Sequence, residues 1–323
     1  MYHTTIGKDL DQAKALLERG ELVAIPTETV YGLAANGLNV AAITRIYDAK
    51  NRPQFNPLIL HVANLEQAER LVIGMPDVCK RLMQLLSPGP ITYLLPKSSL
   101  VPDMVTAGSA RVAIRIPAHP MALALLEMLD FPLAAPSANP SGYVSPVSAT
   151  HVLEGLQGKI PYILDGGNCT IGLESTIVGF EEDKVVIHRL GGITAEQISA
   201  ITGVETTTSL AHASPTAPGQ LKSHYATSIP LLIGDIAPLV NAFAGKKIGL
   251  LLFEQSAALA VEKEILLSPS GSLEEAAAGL FRAMRLLDQS DLDVIIAQRF
   301  PNTGIGRAIN DRLERAAYKS CSG

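Results

Sequence analysis

Apolar residues recur along this chain with two spacings that take turns, and their alternation is the first sign of its architecture. Over residues 9–20, Leu10, Ala13, Leu16 and Leu17 repeat at the three-and-four interval that lines one side of a helix, and Gly20 stands where the helix must stop. The apolar run 22–26 that follows is too short for a helix and ends on a proline, so it predicts a strand. The exchange then continues. Strands are predicted at 58–62, 91–96, 112–117, 132–136, 162–164, 176–180 and 185–190, with helices at 40–49, 65–72, 77–86, 121–129 and 149–156. Interleaving of this kind predicts an α/β domain built on a mixed sheet.

The pattern breaks at 206–228, TTTSLAHASPTAPGQLKSHYATS, which is rich in Ser, Thr, Ala and Pro and follows neither period. A stretch this long without structure is uncommon inside a compact domain and reads as a tether or a functional loop. Beyond it, strands are predicted at 230–234, 247–253, 264–267 and 293–297, with helices at 236–243, 273–288 and 305–318. In the second of these helices Leu273, Ala276, Ala277, Leu280, Phe281, Met284 and Leu287 form one stripe, and Ser272 with Glu275 reads as a capping box. The expectation is a catalytic α/β domain over 1–205, a linker over 206–228, and a smaller Rossmann-like α/β domain over 229–323.

Composition narrows the class. With 47% hydrophobic and 18% charged residues the chain fills cores and is not disordered. Its net charge of −5 argues against a surface that holds a long nucleic acid by counterion release, so any phosphate site must be local. The N-terminus lacks a signal-like apolar segment and no run is long enough for a membrane span, which predicts a cytoplasmic protein without a membrane partner. Three scattered cysteines with no C-x-x-C pair, and histidines without ligand spacing, predict neither disulfides nor a protein-bound metal.

Candidate chemistry is dispersed. There is no Walker motif and no G-x-G-x-x-G after a strand. Lys50, Arg52 and Pro53 surround a turn in which two cations can converge on a polyanion, although read alone the segment is a solvated basic turn. The small hydroxyl and amide residues Ser137, Asn139 and Ser141 end a strand, where ligands of α/β sheets gather. Arg111 and Arg115 flank one strand on the same face, suited equally to an anionic ligand or to ion pairs.

In order, PTETVYGL at 26–33, KNRPQFNPL at 50–58, PGPIT at 88–92, RIPAHP at 115–120, PSANPSG at 136–142 and GLESTIV at 172–178 resemble the YrdC-like family. The linker and C-terminal α/β unit are similar to the long two-domain form of the threonylcarbamoyl-AMP synthases. The resemblance implies that L-threonine, bicarbonate and ATP, the last with Mg²⁺, give threonylcarbamoyl-AMP and pyrophosphate. The product would pass to tRNA threonylcarbamoyl-transfer proteins that modify an adenosine beside the anticodon, with tRNA itself a possible contact. It places Arg52, Asn56, Arg111, Ser137, Ser145, Arg189 and Tyr225 near ATP, with Lys50 and Arg52 as the catalytic cations. Thr29, His61, Arg115 and Ser175 fall near threonine, and the linker with His224 and Tyr225 is implied to close over the pocket. The alternative is a non-catalytic RNA-binding module of the same fold, against which the acidic charge weighs.

Overall fold

The computed structural model describes residues 2–181, 184–209 and 224–317. These divide into two compact units. The described residues of Met1–Ser141, Pro146–Thr170 and Glu174–Gln220 form one, and those of Gly142–Ser145, Ile171–Leu173 and Leu221–Gly323 form the other.

The first unit is built on eleven strands: β1 (Thr5–Gly7), β2 (Val23–Ile25), β3 (Gly32–Asn36), β4 (Ile59–His61), β5 (Ile91–Pro96), β6 (Arg111–Arg115), β7 (Leu133–Ala134), β8 (Tyr162–Leu164), β9 (Thr176–Glu181), β10 (Lys184–Arg189) and β11 (Thr206–Thr208). Their order across the sheet is β1-β8-β2-β3-β7-β4-β6-β5-β9-β10-β11. β4 runs parallel to β6 and β5 parallel to β9, whereas β5–β6 and β9–β10 are antiparallel, so the sheet is mixed as the sequence predicts. The helix Leu10–Glu18 buries Ala13, Leu16 and Leu17 against Val23, Ile25, Leu125, Leu133 and Leu164, which is the stripe read from the sequence. Asp9 caps it by accepting from the Gln12 amide at 3.0 Å.

The periodicity did not reveal β1, β3, β11 or the helix Ala195–Thr202. β3 reads GLAAN, small residues whose strand state is imposed by pairing with β2 and β7 rather than by propensity. β11 pairs in parallel with β10, so the sheet extends into the first residues of the segment read as linker. The rest of that segment, 210–223, lies outside the described residues.

The second unit has four parallel strands, β12 (Leu231–Ile233), β13 (Ile248–Leu252), β14 (Lys263–Leu266) and β15 (Val294–Ala297), in the order β12-β15-β13-β14. Ile248, Leu250, Leu252, Val294 and Ile296 form its core on one face. The capping box at Ser272 is half formed. Ser272 Oγ accepts from the Glu275 amide at 3.1 Å, but the Glu275 carboxylate takes the hydroxyls of Ser268 and Ser270, both at 2.5 Å. Two hydroxyl donors outcompete one main-chain amide. The segment Gly142–Ser145 belongs to this unit because buried Arg285 donates to the Val144 carbonyl at 2.6 Å, while Tyr143 donates to Asp288 at 2.8 Å. Among the described residues, no helix is long and apolar enough to cross a membrane.

Candidate active site

Register alone gathers several candidate residues of the first unit on one sheet face. His61 of β4 pairs with Arg115 of β6, and Ile59 with Ala113. The antiparallel β5–β6 ladder sets Leu94 opposite Ala113, which places Thr92 opposite Arg115. Thr92 in turn pairs with Ile177 of β9, and Ile177 with Arg189 of β10. Because paired residues share a face and the side-chain period is two, His61, Thr92, Arg115, Ser175 and Arg189 stand on the side that also carries Ile59, Leu94, Ala113 and Ile177. Those four apolar residues pack together as a floor, and the polar groups rise at its end.

There the polar groups hold one another. Arg115, 4% exposed, donates from Nε to the Gly89 carbonyl at 3.2 Å and from Nη1 to Thr29 Oγ1 at 2.9 Å. Its Nη2 lies 2.7 Å from Glu28 Oε1. Arg189 donates from Nε to the Ser175 carbonyl and from Nη2 to Ser175 Oγ, each at 3.0 Å, and Ser175 Oγ is 2.7 Å from Thr92 Oγ1. His61 is buried, and its pKa is lowered to about 3 by desolvation first and by the charge of Arg115 next, so the imidazole is neutral. Among the described residues its Nδ1 has no hydrogen-bond partner. Gly191 backs onto this group: a Cβ there would stand 2.3 Å from the Glu174 carbonyl oxygen and 2.5 Å from the Ser175 carbonyl carbon.

A second group forms at the basic turn. The helix Val40–Lys50 ends on Asn51 in the left-handed region (φ 52°), a conformation asparagine tolerates, and the turn sends the two cations in different directions. Lys50 is 1% exposed, and its Nζ donates to the main-chain carbonyls of Ser137, at 2.5 Å, and of Asn139. Burial first, then Arg52, push its pKa well below the usual lysine range. Arg52 donates to the carbonyls of Asn56 (3.3 Å) and Pro57 (2.9 Å). Asn56 is buried, and its Oδ1 has no hydrogen-bond partner among the described residues. Arg111 begins β6, two residues before Ala113, and pairs with Pro96 of β5. It lines a cavity of about 470 Å³ with Ser109, Glu181, His188 and Thr207. Its Nη1 is 3.8 Å from Glu181 Oε1.

The two groups are joined by main chain. Ala138 N donates to the Tyr31 carbonyl at 2.8 Å and Leu33 N to Pro136 O at 2.7 Å, so the Ser137 turn runs along β3, which begins three residues after Thr29. Ser145 and Tyr225 belong instead to the second unit, both buried; Tyr225, at φ 63°, stacks on Phe281 at 5.2 Å. His224 is also described there, its ring 4.1 Å from that of Tyr225.

The sequence reading passed over Glu28, Thr92 and Gly191. Glu28 and Thr92 lie within the motif blocks and Gly191 two residues after Arg189, but only the folded chain shows what each touches. Among the described residues, no group of three or more His, Cys, Asp or Glu could hold a metal ion.

A mixed α/β sheet with a cation-rimmed face beside a buried basic turn is the class of protein that fold and site define. The family profile described as "Telomere recombination" matches residues 15–191, and that described as "Threonylcarbamoyl-AMP synthase, C-terminal domain" matches 193–318. The threonylcarbamoyl-AMP synthase of Bacillus subtilis is 43% identical over 97% of this chain and 94% of its own length. That of Pyrococcus abyssi is 40% identical over 94% and 93%. A crystal structure of P. abyssi Sua5 complexed with L-threonine superposes with a TM-score of 0.91 at 38% identity, over 98% of each chain. The chain belongs to the threonylcarbamoyl-AMP synthase family, in its two-domain form.

Proposed function

We propose that this protein condenses L-threonine, bicarbonate and ATP into threonylcarbamoyl-AMP and pyrophosphate, for transfer onto a tRNA adenosine next to the anticodon. The observation that carries this reading is the sheet-face group in which buried Arg115 stands between Thr29, Gly89 and His61. It offers a carboxylate anchor in dry surroundings, and its place matches that of the threonine residues implied by the resemblance. The structurally similar P. abyssi Sua5, complexed with L-threonine, supports the same assignment.

The chemistry asks little of nucleophilic side chains. The threonine amine and bicarbonate form a carbamate with loss of water; a carbamate oxygen then attacks the α-phosphorus and pyrophosphate departs. Negative charge grows on the α-phosphoryl oxygens and on the leaving group, so fixed cations and N–H donors are what lower the barrier. In this reading Arg52, Asn56, Arg111, Ser137, Ser145, Arg189 and Tyr225 serve the nucleotide, as the resemblance implies. Arg115, Thr29, Ser175 and neutral His61 serve threonine. Lys50, whose Nζ is committed to two carbonyls, holds the Ser137 turn in shape. Mg²⁺ enters only as part of the nucleotide substrate. The domain limits 1–205, 206–228 and 229–323, closure by the linker, a cytoplasmic location, contact with tRNA and hand-over to transfer proteins all belong to the same proposal.

The test is pyrophosphate release together with product mass. Release that requires both threonine and bicarbonate, with threonylcarbamoyl-AMP in the spectrum, is the expected result. Release from ATP alone would reduce the protein to an ATP pyrophosphohydrolase.

A further inference from the structure

One buried charged group in the first unit has no place in the scheme above. Glu28 lies between Thr27 and Thr29 with its side chain 9% exposed, and among the described residues neither carboxylate oxygen accepts a hydrogen bond. A carboxylate taken from water normally recovers two or more donors, so an acceptor pair left open at this depth is costly unless something else fills it. Its ion-pair partner among the described residues is Arg115, whose Nη2 lies 2.7 Å away. Nearby, the Cys169 thiol is pushed up to about 12, mainly by burial and next by the charge of Glu28.

The neighbours show what is missing. Arg115 Nε and Nη1 are engaged by Gly89 and Thr29, and a guanidinium has five N–H donors, so protons remain on Nη1 and Nη2 for an incoming carboxylate. An α-amino acid carries its carboxylate and its amino group on the same carbon. Whatever places the carboxylate on Arg115 brings the nitrogen within a few ångströms of the same guanidinium, where Glu28 is the adjacent anion. Opposite charges then alternate around the cluster.

Resting on the proposed function, we infer that Glu28 accepts the N–H of the substrate's amino group and so selects for an amino acid over its deaminated counterpart. The same oxygens can accept the N–H that survives in the carbamate, which keeps the nitrogen oriented after carboxylation. Glu28 is a specificity-determining residue on this view, and its role is separable from that of a counterion that merely fixes Arg115.

The experiment compares threonine with 3-hydroxybutyrate of matching C3 stereochemistry, in which a hydrogen replaces the amino group, in wild-type protein and in Glu28→Gln and Glu28→Asp. Threonine is read as KM and the analogue as a competitive inhibition constant. In Glu28→Gln the threonine KM should rise by about 10-fold or more, the loss of one charge-assisted hydrogen bond, while the analogue's constant and the ATP KM stay within about 2-fold. Glu28→Asp should recover part of the loss. If threonine and analogue weaken together, Glu28 acts only through Arg115 and the inference fails; an unchanged threonine KM also overturns it. Should Glu28→Gln not fold, Glu28→Asp carries the comparison, with the preference for threonine expected to fall by several-fold and an unaltered preference overturning the inference. A wild-type protein that makes no threonylcarbamoyl-AMP would instead sink the proposed function, independently of the variants.

Discussion

Lys50 reaches the main-chain carbonyl of Ser137 with its Nζ at 2.5 Å and takes the carbonyl of Asn139 as well, so one side chain at the end of a helix fixes the start of a distant turn. Lys50→Met keeps much of the apolar stem but leaves both carbonyls without that donor. Each lost bond to a charged group is worth about 1.5–3 kcal/mol, so the two together predict a loss of about 3–6 kcal/mol in urea denaturation. A loss below about 0.5 kcal/mol would show that the turn holds its shape unaided. Arg52→Ala, by contrast, should act on turnover, lowering it by a factor of about 10² if its charge stabilises the departing phosphates.

His61 makes the fold sensitive to acid. Its pKa is about 3 in the folded chain against 6.5 in the unfolded one, so below pH 6.5 the unfolded state binds a proton that the folded state refuses. The stabilisation is complete above about pH 6.5 and is lost progressively as pH falls towards 3. Between pH 7 and pH 5 the wild type should lose about 2 kcal/mol more than His61→Gln, measured by denaturant titration at each pH. Equal losses would mean that other groups govern acid sensitivity.

Ser175 Oγ is shared by Arg189 and Thr92. Ser175→Ala removes that shared oxygen while the Ser175 carbonyl continues to hold Arg189 Nε. If Ser175 also meets threonine, the threonine KM should rise about 10-fold with the ATP KM nearly unchanged, since one hydrogen bond to a charged group is at stake. Steady-state titration of each substrate separates the two. A rise confined to ATP would move Ser175 to the nucleotide side.

Gly191 offers a backbone test of the same region. A methyl there meets the main chain of Glu174, Ser175 and Thr176 at 2.3–2.5 Å, and main chain cannot swing aside as a flexible side chain would. Gly191→Ala should cost about 1–3 kcal/mol and reduce turnover even though residue 191 carries no functional group. An enzyme as stable and as active as wild type would show that the Ser175 segment has room to move.

Long periodic stretches were legible in the sequence: the helices 77–86, 149–156 and 273–288 coincide in range with those of the structure. Elements whose state comes from neighbours were not. GLAAN at β3 has no strand propensity to display, and Thr206–Thr208 sits in a stretch whose composition resembles linker. The site divides in the same way. Spacing put Arg111 and Arg115 on one face, but nothing in the order of residues tells that Lys50 turns inward to carbonyls or that Glu28 meets Arg115, because both contacts span segments far apart in sequence. The reading of Ser272 and Glu275 as a full capping box missed the serines at 268 and 270 that claim the carboxylate.

The chain enters the second unit early, at Gly142–Ser145 and again at Ile171–Leu173, long before the segment that leads to β12. A cut at Ser209 would therefore not release two self-sufficient pieces. The N-terminal fragment would carry away the carbonyls that Arg285 binds, and the remainder would keep a buried guanidinium with those acceptors gone. Grafting either unit onto a homologue has to respect each of these crossings, which makes the two halves of this protein poor candidates for independent shuffling.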